Sequence, residues 1–390
     1  MSIILDSLPT PEEFFRNYWN KKPFVVRGMI PSTVIRSLID EDHLAGLAME
    51  EEIKSRLVRK GEKQFEWTCH HGPFEEEDFA DLGEKDWSLL VQNVDLYHRA
   101  TAELLKHFNF SPRWLLDDIM TSFSPKGGTV GAHTDSYHVF LVQGKGERCW
   151  KVAHTPLKKE EYIEEISLKI LKDDFEGEDI TVTEGDVIYI PPKFAHQGVS
   201  LAPSMTYSVG FLGPSLSEML IDFGQYLEEH NSDISRYMGQ NLSGTAAPFQ
   251  VAPDHIDDLK SFMTDVFDQD DFVQWLLHYF CAPVQTEDEY PDDEFDDDRD
   301  ESQADFAKSI IENKSRVIKD PSVKIMFTPS KQPHRYCVSI GVVSFDLDFS
   351  DLTLIDSMAK EEPFTGEVFA GHVDILQRLL TRNILYRVNQ

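Results

Sequence analysis

The segment Gly131-Ala132-His133-Thr134-Asp135 decides how this chain is read. On extended backbone, residues two apart point to the same face. His133 and Asp135 therefore offer an imidazole and a carboxylate to one point. Two such donors can share a divalent metal, and a third completes a facial triad with positions left open for Fe(II) chemistry. His196 is the candidate third ligand. It follows the strand-like run Val187-Ile188-Tyr189-Ile190, which Pro191-Pro192 ends, because proline has no N–H to give a ladder. An HxD pair arises readily by chance among fourteen histidines, so the surroundings carry the weight. Gly127, Gly128 and Gly131 let the backbone turn tightly ahead of the pair.

Working outward, residues 118–213 read as short strands punctuated by Gly and Pro, with no alternating helices. That pattern argues for a sandwich or barrel rather than a Rossmann sheet. Residues 136–142 and 148–153 flank Gly144-Lys145-Gly146-Glu147 and read as a hairpin. Arg148 opens its return strand. If the metal is Fe(II) and the co-substrate 2-oxoglutarate, the distal carboxylate lies inside the barrel and needs a cation. Arg148 offers a charge-assisted, two-pronged pair, and the Ser122 hydroxyl would complete the cradle. The competing reading of Arg148 is a surface charge on a hairpin. His138 lies an odd number of residues from His133 and faces away on a regular strand. His70-His71 has no acidic partner at ligand spacing. Trp114, Trp150, Tyr137 and Phe140 read as core or pocket wall. Asp117 and Asp118 could meet a basic side chain.

Residues 214–283 read as helical. Ser215-Leu216-Ser217-Glu218 has the form of a capping box, and apolar residues recur at spacings of three and four from Leu216 to Leu227 and again over 255–280, with a break near Gln269. Two readings stand side by side: a helical insert packed on its own chain, or a bundle that forms a homodimer. Residues 287–301 hold eleven acidic residues and one arginine, the pattern of a solvated linker over 284–303. Beyond it, 304–390 reads as a helix to about residue 318, β-like runs at 323–327 and 336–345, a helix around 372–380 and a last strand. That order is compatible with a small winged-helix-like domain.

The formal net charge of −32 on 390 residues makes direct nucleic-acid or anionic-membrane binding unlikely partners for this chain, since phosphates would be repelled. It favours cations and basic polypeptides. The four cysteines have no zinc-like spacing, and no run is long and apolar enough for a membrane span. The start lacks a signal-peptide pattern, so a cytoplasmic location is expected.

These residues resemble a known family. Asp117 to Ser124, Gly127 to Asp135, Gln143 to Trp150, Pro191 to His196 and Tyr207 to Phe211 are similar to the bacterial JmjC-type ribosomal oxygenases, and among them to the ribosomal-protein arginine hydroxylases. Phe14 to Pro23 and Trp87 to Asp95 resemble that family's opening. The resemblance implies a double-stranded β-helix (jelly-roll, cupin-like) core over residues 1–213. It implies Fe(II) held by His133, Asp135 and His196, 2-oxoglutarate bound by Ser122 and Arg148, and O2 as co-substrate. It implies a helical dimerisation segment, a C-terminal winged-helix domain, and a basic ribosomal-protein substrate hydroxylated on an arginine. Lys126, Thr129 and Thr134 depart from the family pattern, and the acidic linker is long. A histidyl hydroxylase, an N-methyl-lysine demethylase of the same fold, and a non-catalytic acidic module for basic proteins are the competing readings.

Overall fold

Alternating burial along the strands builds the architecture, seen here in a computed structural model. It describes residues 3–61, 66–164, 166, 168–230, 236–239, 249–281, 297–320, 323–360 and 362–388. The chain divides into two units, Met1–Gly213 and Pro214–Gln390.

The first unit holds twelve strands: β1 (Ile4–Leu5), β2 (Phe24–Val26), β3 (Ser55–Lys60), β4 (Trp67–His71), β5 (Trp87–Val91), β6 (Leu116–Ser124), β7 (His138–Gln143), β8 (Arg148–Val152), β9 (Glu178–Val182), β10 (Val187–Ile190), β11 (His196–Ser200) and β12 (Ser204–Phe211). Nine form one sheet in the order β1-β2-β10-β7-β12-β6-β5-β3-β4. Three form a small sheet, β11-β8-β9. From β7 onward the chain passes between them: β8 and β9 in the small sheet, β10 in the large, β11 in the small, β12 in the large. This is the jelly-roll that the family resemblance implies, and it falls within the sandwich-or-barrel class expected from the punctuated strands.

One expectation needs correction. Residues 136–142 and 148–153 do not pair as a hairpin: β7 pairs with β10 and β12, whereas β8 pairs with β11 and β9. The Gly144–Glu147 turn carries the chain from one sheet to the other. Turn chemistry reverses a chain without choosing its partner, and every residue of β7 is buried, so no alternation marked a face.

Both faces of the large sheet are covered. Val139, Leu141 and Ile188 point toward the small sheet and meet Trp150, Val152, Ile180 and Val182. Phe140, Val142 and Tyr189 point the other way, into a larger core with Phe14, Phe24, Leu44, Leu104 and Phe108 from the N-terminal segments. The Pro11–Asn17 helix that brings Phe14 there begins with Pro at its first turn and a Thr10/Glu13 capping box. Sequence reading gave no strands before residue 118, but β3, β4 and β5 extend the large sheet beyond the jelly-roll.

In the second unit the Leu216–His230 helix starts at the expected box: Ser215 N–H donates to Glu218 Oε2 and Glu218 N–H to Ser215 Oγ. The Pro253–Thr264 and Asp270–Cys281 helices flank the break at Gln269. Trp275 is fully buried against Phe223 and donates its indole N–H to Asp222 at 2.6 Å. Residues 282–296 of the acidic run lie outside the described residues. A helix, Asp297–Glu312, already begins within the stretch read as linker. It stops short of 318, where Arg316–Lys319 is a strand instead. The expected 336–345 run is two strands, Arg335–Ile340 and Val343–Asp348, paired antiparallel, and the Leu352–Ala359 helix was not expected.

Candidate metal and 2-oxo acid site

Two histidines are set side by side by backbone. His133 N–H donates to His196 O at 3.0 Å, and His196 N–H to His133 O at 2.9 Å. This reciprocal pair joins the end of the glycine-rich segment to the start of β11, and the rings lie 4.2 Å apart. Lys193 N–H donates to Asp135 O at 2.8 Å, which fixes the third member. Asp135 Oδ2 is then 3.4 Å from His196 Nε2, and Asp135 Oδ1 is 4.0 Å from His133 Nε2. One ligand atom from each of the three falls within 4.8 Å of the others. Among the described residues this is the one such group of three His, Cys, Asp or Glu.

The tautomers are fixed as a metal would need them. His133 Nδ1–H donates to Gly131 O and His196 Nδ1–H to Phe194 O, both at 3.0 Å. Each ring therefore turns its Nε2 lone pair toward Asp135, the usual backbone support of a ligand histidine. His196 is almost wholly buried, and burial together with the neighbouring His133 ring pushes its imidazole down to about 4. It stays neutral, the state in which histidine binds metal.

Below this group a cavity of about 510 Å³ opens between the two sheets. Its floor is one cross-strand row: Thr206 of β12 faces Ser122 of β6, which faces Leu90 of β5, which faces Arg56 of β3. Arg148 enters from β8 on the opposite sheet and is only 3% exposed. Gly198 makes room for it, since a Cβ there would stand 2.6 Å from Arg148 Nε. The guanidinium is poorly satisfied. It donates to Thr206 Oγ1 at 3.4 Å and Gly198 O at 3.3 Å, both long, and Nε has no partner. Burial lowers it to about 10, so it remains charged at neutral pH. A buried cation without a carboxylate is costly; a ligand carboxylate would complete it. The donor set thus fits a metal with a 2-oxo acid.

The other sequence candidates are placed elsewhere. His138 faces away from the cavity. Its ring stacks on Trp19 at 3.5 Å and its Nδ1 shares a 2.8 Å hydrogen bond with the Tyr189 hydroxyl. His71 Nε2 lies 3.9 Å from Cys69 Sγ on β4 and belongs to no metal group among the described residues. Trp150 and Tyr137 line the cavity, Phe140 is core, and Trp114 is exposed. Asp118 accepts Asn93 N–H at 3.0 Å, and burial, reinforced by the charges of Asp117 and Asp95, pushes its carboxyl up to about 7. Sequence reading missed Arg56, Glu160, Tyr162 and Lys193, which also line the cavity. Charged residues on short polar strands and loops carry no local sign that they turn inward.

A JmjC domain, matched over residues 103–219, is the class of protein that this fold and site define. Ribosomal protein uL16 3-hydroxylase of Escherichia coli is 38% identical over 266 residues, 68% of this chain and 69% of that protein. A probable ribosomal oxygenase of Haemophilus influenzae is 40% identical over 214 residues, 54% of this chain and 52% of that protein. The X-ray structure of E. coli ycfD superposes with a TM-score of 0.78 at 30% identity, covering 98% of this chain and 99% of that one. A structure of the same ribosomal oxygenase in complex with cobalt and 2-oxoglutarate gives 0.77 at 29%, with the same coverage. The chain belongs to the JmjC-domain ribosomal oxygenases.

Proposed function

We propose that this protein hydroxylates a side chain of a large-subunit ribosomal protein, with arginine the favoured residue, using Fe(II), 2-oxoglutarate and O2. The observation that carries the reading is the His133–Asp135–His196 group set above a buried, under-satisfied Arg148 in one cavity. His133, Asp135 and His196 would hold the metal. Arg148 and Ser122 would hold the distal carboxylate of 2-oxoglutarate. When bound, iron and the 2-oxo acid supply the oxidation by which one oxygen of O2 enters an unactivated C–H bond while the 2-oxo acid becomes succinate and CO2.

The chain's own residues do the rest. The backbone pair between His133 and His196 holds the donors before anything binds, so little ordering remains to be done. Trp150, Val139 and Leu141 wall the cavity with apolar surface and exclude water. Asp118 stands beside Tyr137, which lines the cavity: a Cβ on Gly210 would lie 3.5 Å from Asp118 Oδ1 and 3.8 Å from Tyr137 Cε2. A desolvated carboxylate there suits a basic substrate side chain, and the net charge of −32 suits a basic partner.

The domain reading belongs to the same proposal: an oxygenase unit over 1–213, a helical region over 214–283 and a winged-helix-like unit over 304–390, in a cytoplasmic protein. No helix among the described residues is long and apolar enough to cross a membrane. The Leu216–His230 helix leaves Leu216, Leu220 and Ile221 exposed, as Met263 is on the next helix, and this apolar surface supports a homodimer.

The test is mass spectrometry of a uL16 peptide incubated with protein, Fe(II) and 2-oxoglutarate. The expected product carries one added oxygen. Formaldehyde with loss of mass from a methylated peptide would instead identify a demethylase. His133→Ala should lower turnover by on the order of 10³-fold or more, because the oxidation depends wholly on the metal. Undiminished turnover in that variant would remove the assignment.

A further inference from the structure

Thr134 stands between the two ligand residues, and the metal site itself does not use its hydroxyl. Its hydroxyl donates to Glu160 Oε1 at 2.9 Å, and the other oxygen of that carboxylate accepts the Tyr162 hydroxyl. Lys193 and Lys169 add favourable charge around Glu160, and together with the two hydrogen bonds they hold its carboxyl below the usual range. Thr134, Glu160, Tyr162, Lys169 and Lys193 all line the cavity.

The segment that carries Glu160 and Tyr162 lines the cavity as a strap. It begins where Leu157 N–H donates to Lys193 O at 2.9 Å. It folds back on itself through Ile163 N–H to Ile170 O and Lys172 N–H to Glu161 O. It returns where Leu171 N–H donates to Ala132 O at 2.7 Å, one residue before His133. Ile170 is buried on Gly131, whose φ of +84° and missing Cβ both matter: a Cβ would stand 2.8 Å from Ile170 Cγ2. Both ends of the strap are thus tied by backbone to the segments that bear His196 and His133. Its middle is held by backbone bonds to its own return half, and Glu160 adds a side-chain tie to Thr134.

We propose that the Thr134–Glu160–Tyr162 clasp positions the strap, residues 157–164 with their return at 168–172, as one wall of the peptide channel, so that it governs how tightly a basic peptide is held without contributing to 2-oxoglutarate binding. Three features give this direction. Arg148 and Ser122 are buried, whereas Thr134 and Tyr162 are half-buried. Glu160 is exposed, so its carboxylate faces arriving peptide as well as Thr134. And a threonine at this place gives the strap a hold that an apolar residue would not. The proposal rests on the oxygenase reading for the identity of the peptide, but not for the clasp itself.

The experiment has two arms on the full-length protein. The first is hydrogen exchange of the 157–172 amides in metal-free wild type, Thr134→Val, Thr134→Ser and Glu160→Gln, which needs no activity. Thr134→Val and Glu160→Gln should exchange roughly threefold to tenfold faster around residues 159–163, as loss of one charge-assisted hydrogen bond at an exposed site implies, and Thr134→Ser should match wild type. The second arm is affinity for a fluorescein-labelled, arginine-containing uL16 peptide, read by anisotropy, beside the KM for 2-oxoglutarate. Peptide affinity should fall by a similar factor in Thr134→Val and return in Thr134→Ser, with the KM for 2-oxoglutarate moved less than about twofold. Unchanged exchange in Thr134→Val overturns the clasp. Faster exchange with unchanged peptide affinity, or with both constants moved together, overturns its role in the channel. A wild type that binds the peptide without oxidising it would fail the oxygenase reading and leave the clasp standing.

Discussion

His138 and His196 are both deeply buried in the same unit, and burial pushes both imidazoles down to about 4. Their surroundings could hardly differ more. His138 sits at the edge of the aromatic core on the outer face of the large sheet, stacked on Trp19 and bonded to Tyr189, with Phe14, Phe24, Phe108 and Phe140 packed nearby. His196 sits between the sheets, where one ring nitrogen is satisfied by Phe194 O and the other is turned toward Asp135 and His133. Arg148 repeats the pattern, buried with Nε unpartnered. Depth of burial and the direction of a pKa shift are therefore the same in a core and in a site. What separates them is whether the buried polar atoms are already satisfied.

The sharpest way to break the comparison is to remove a side chain from the satisfied region. Phe140 touches Phe14, Phe108, Phe110, Tyr189 and Phe211 and is fully buried. Phe140→Ala should cost about 3–5 kcal/mol in a denaturant melt, from lost transfer energy and the cavity left behind. Removing a side chain from the under-satisfied region should behave oppositely. Arg148→Leu should leave the metal-free protein as stable as wild type or more so, because an uncompensated buried cation is gone. It should raise the KM for 2-oxoglutarate on the order of 100-fold, the worth of one or two hydrogen bonds between charged groups. Added 2-oxoglutarate with Mn(II) should raise the Tm of wild type and not of this variant. A strong loss of stability in Arg148→Leu would mean that the arginine is a structural residue, on the same side of the comparison as Phe140.

Much of the site was legible because its chemistry is written in short-range order. The two-residue spacing of His133 and Asp135, the glycines before them and the Pro191-Pro192 stop before His196 are each local signals. Strand lengths and punctuation made a sandwich or barrel legible, and the family resemblance narrowed it to a jelly-roll. What escaped depends on long-range pairing. The Gly144–Glu147 turn looked like a hairpin because a turn does not reveal which strands it will join. Arg56, Glu160 and Lys193 drew no reading at all, because nothing adjacent to them says that β3 runs beside β5 or that the strap returns over His133. The first turns of the Asp297–Glu312 helix fall within the stretch that reads as linker, because a run of like charges offers no apolar period to mark a helix, whereas the apolar period from residue 304 on does.

The smallest expected effect sharpens the comparison through pH. The folded protein holds His138 at about 4, while an unfolded chain titrates near the ordinary value of about 6.5, so the unfolded state binds more protons between those limits. The stability contributed by neutral His138 is then fully present above about pH 6.5 and is lost progressively as the pH falls toward 4. Between pH 7 and pH 5 the loss should be about 2 kcal/mol. His196 titrates in the same direction in the metal-free protein, so the two must be separated. His138→Phe should remove its share of the slope with or without metal, since the ring can still stack on Trp19. Mn(II) at the His133–Asp135–His196 group should steepen the rest of the slope, because the bound cation keeps its ligands unprotonated in the folded state while the unfolded chain still takes up protons. Urea melts at pH 5 and pH 7, with and without Mn(II), in wild type and His138→Phe, give four slopes. If His138→Phe left the pH dependence unchanged, His138 would carry no share of it; if Mn(II) left the dependence unchanged, the His133–Asp135–His196 group would not be holding the metal.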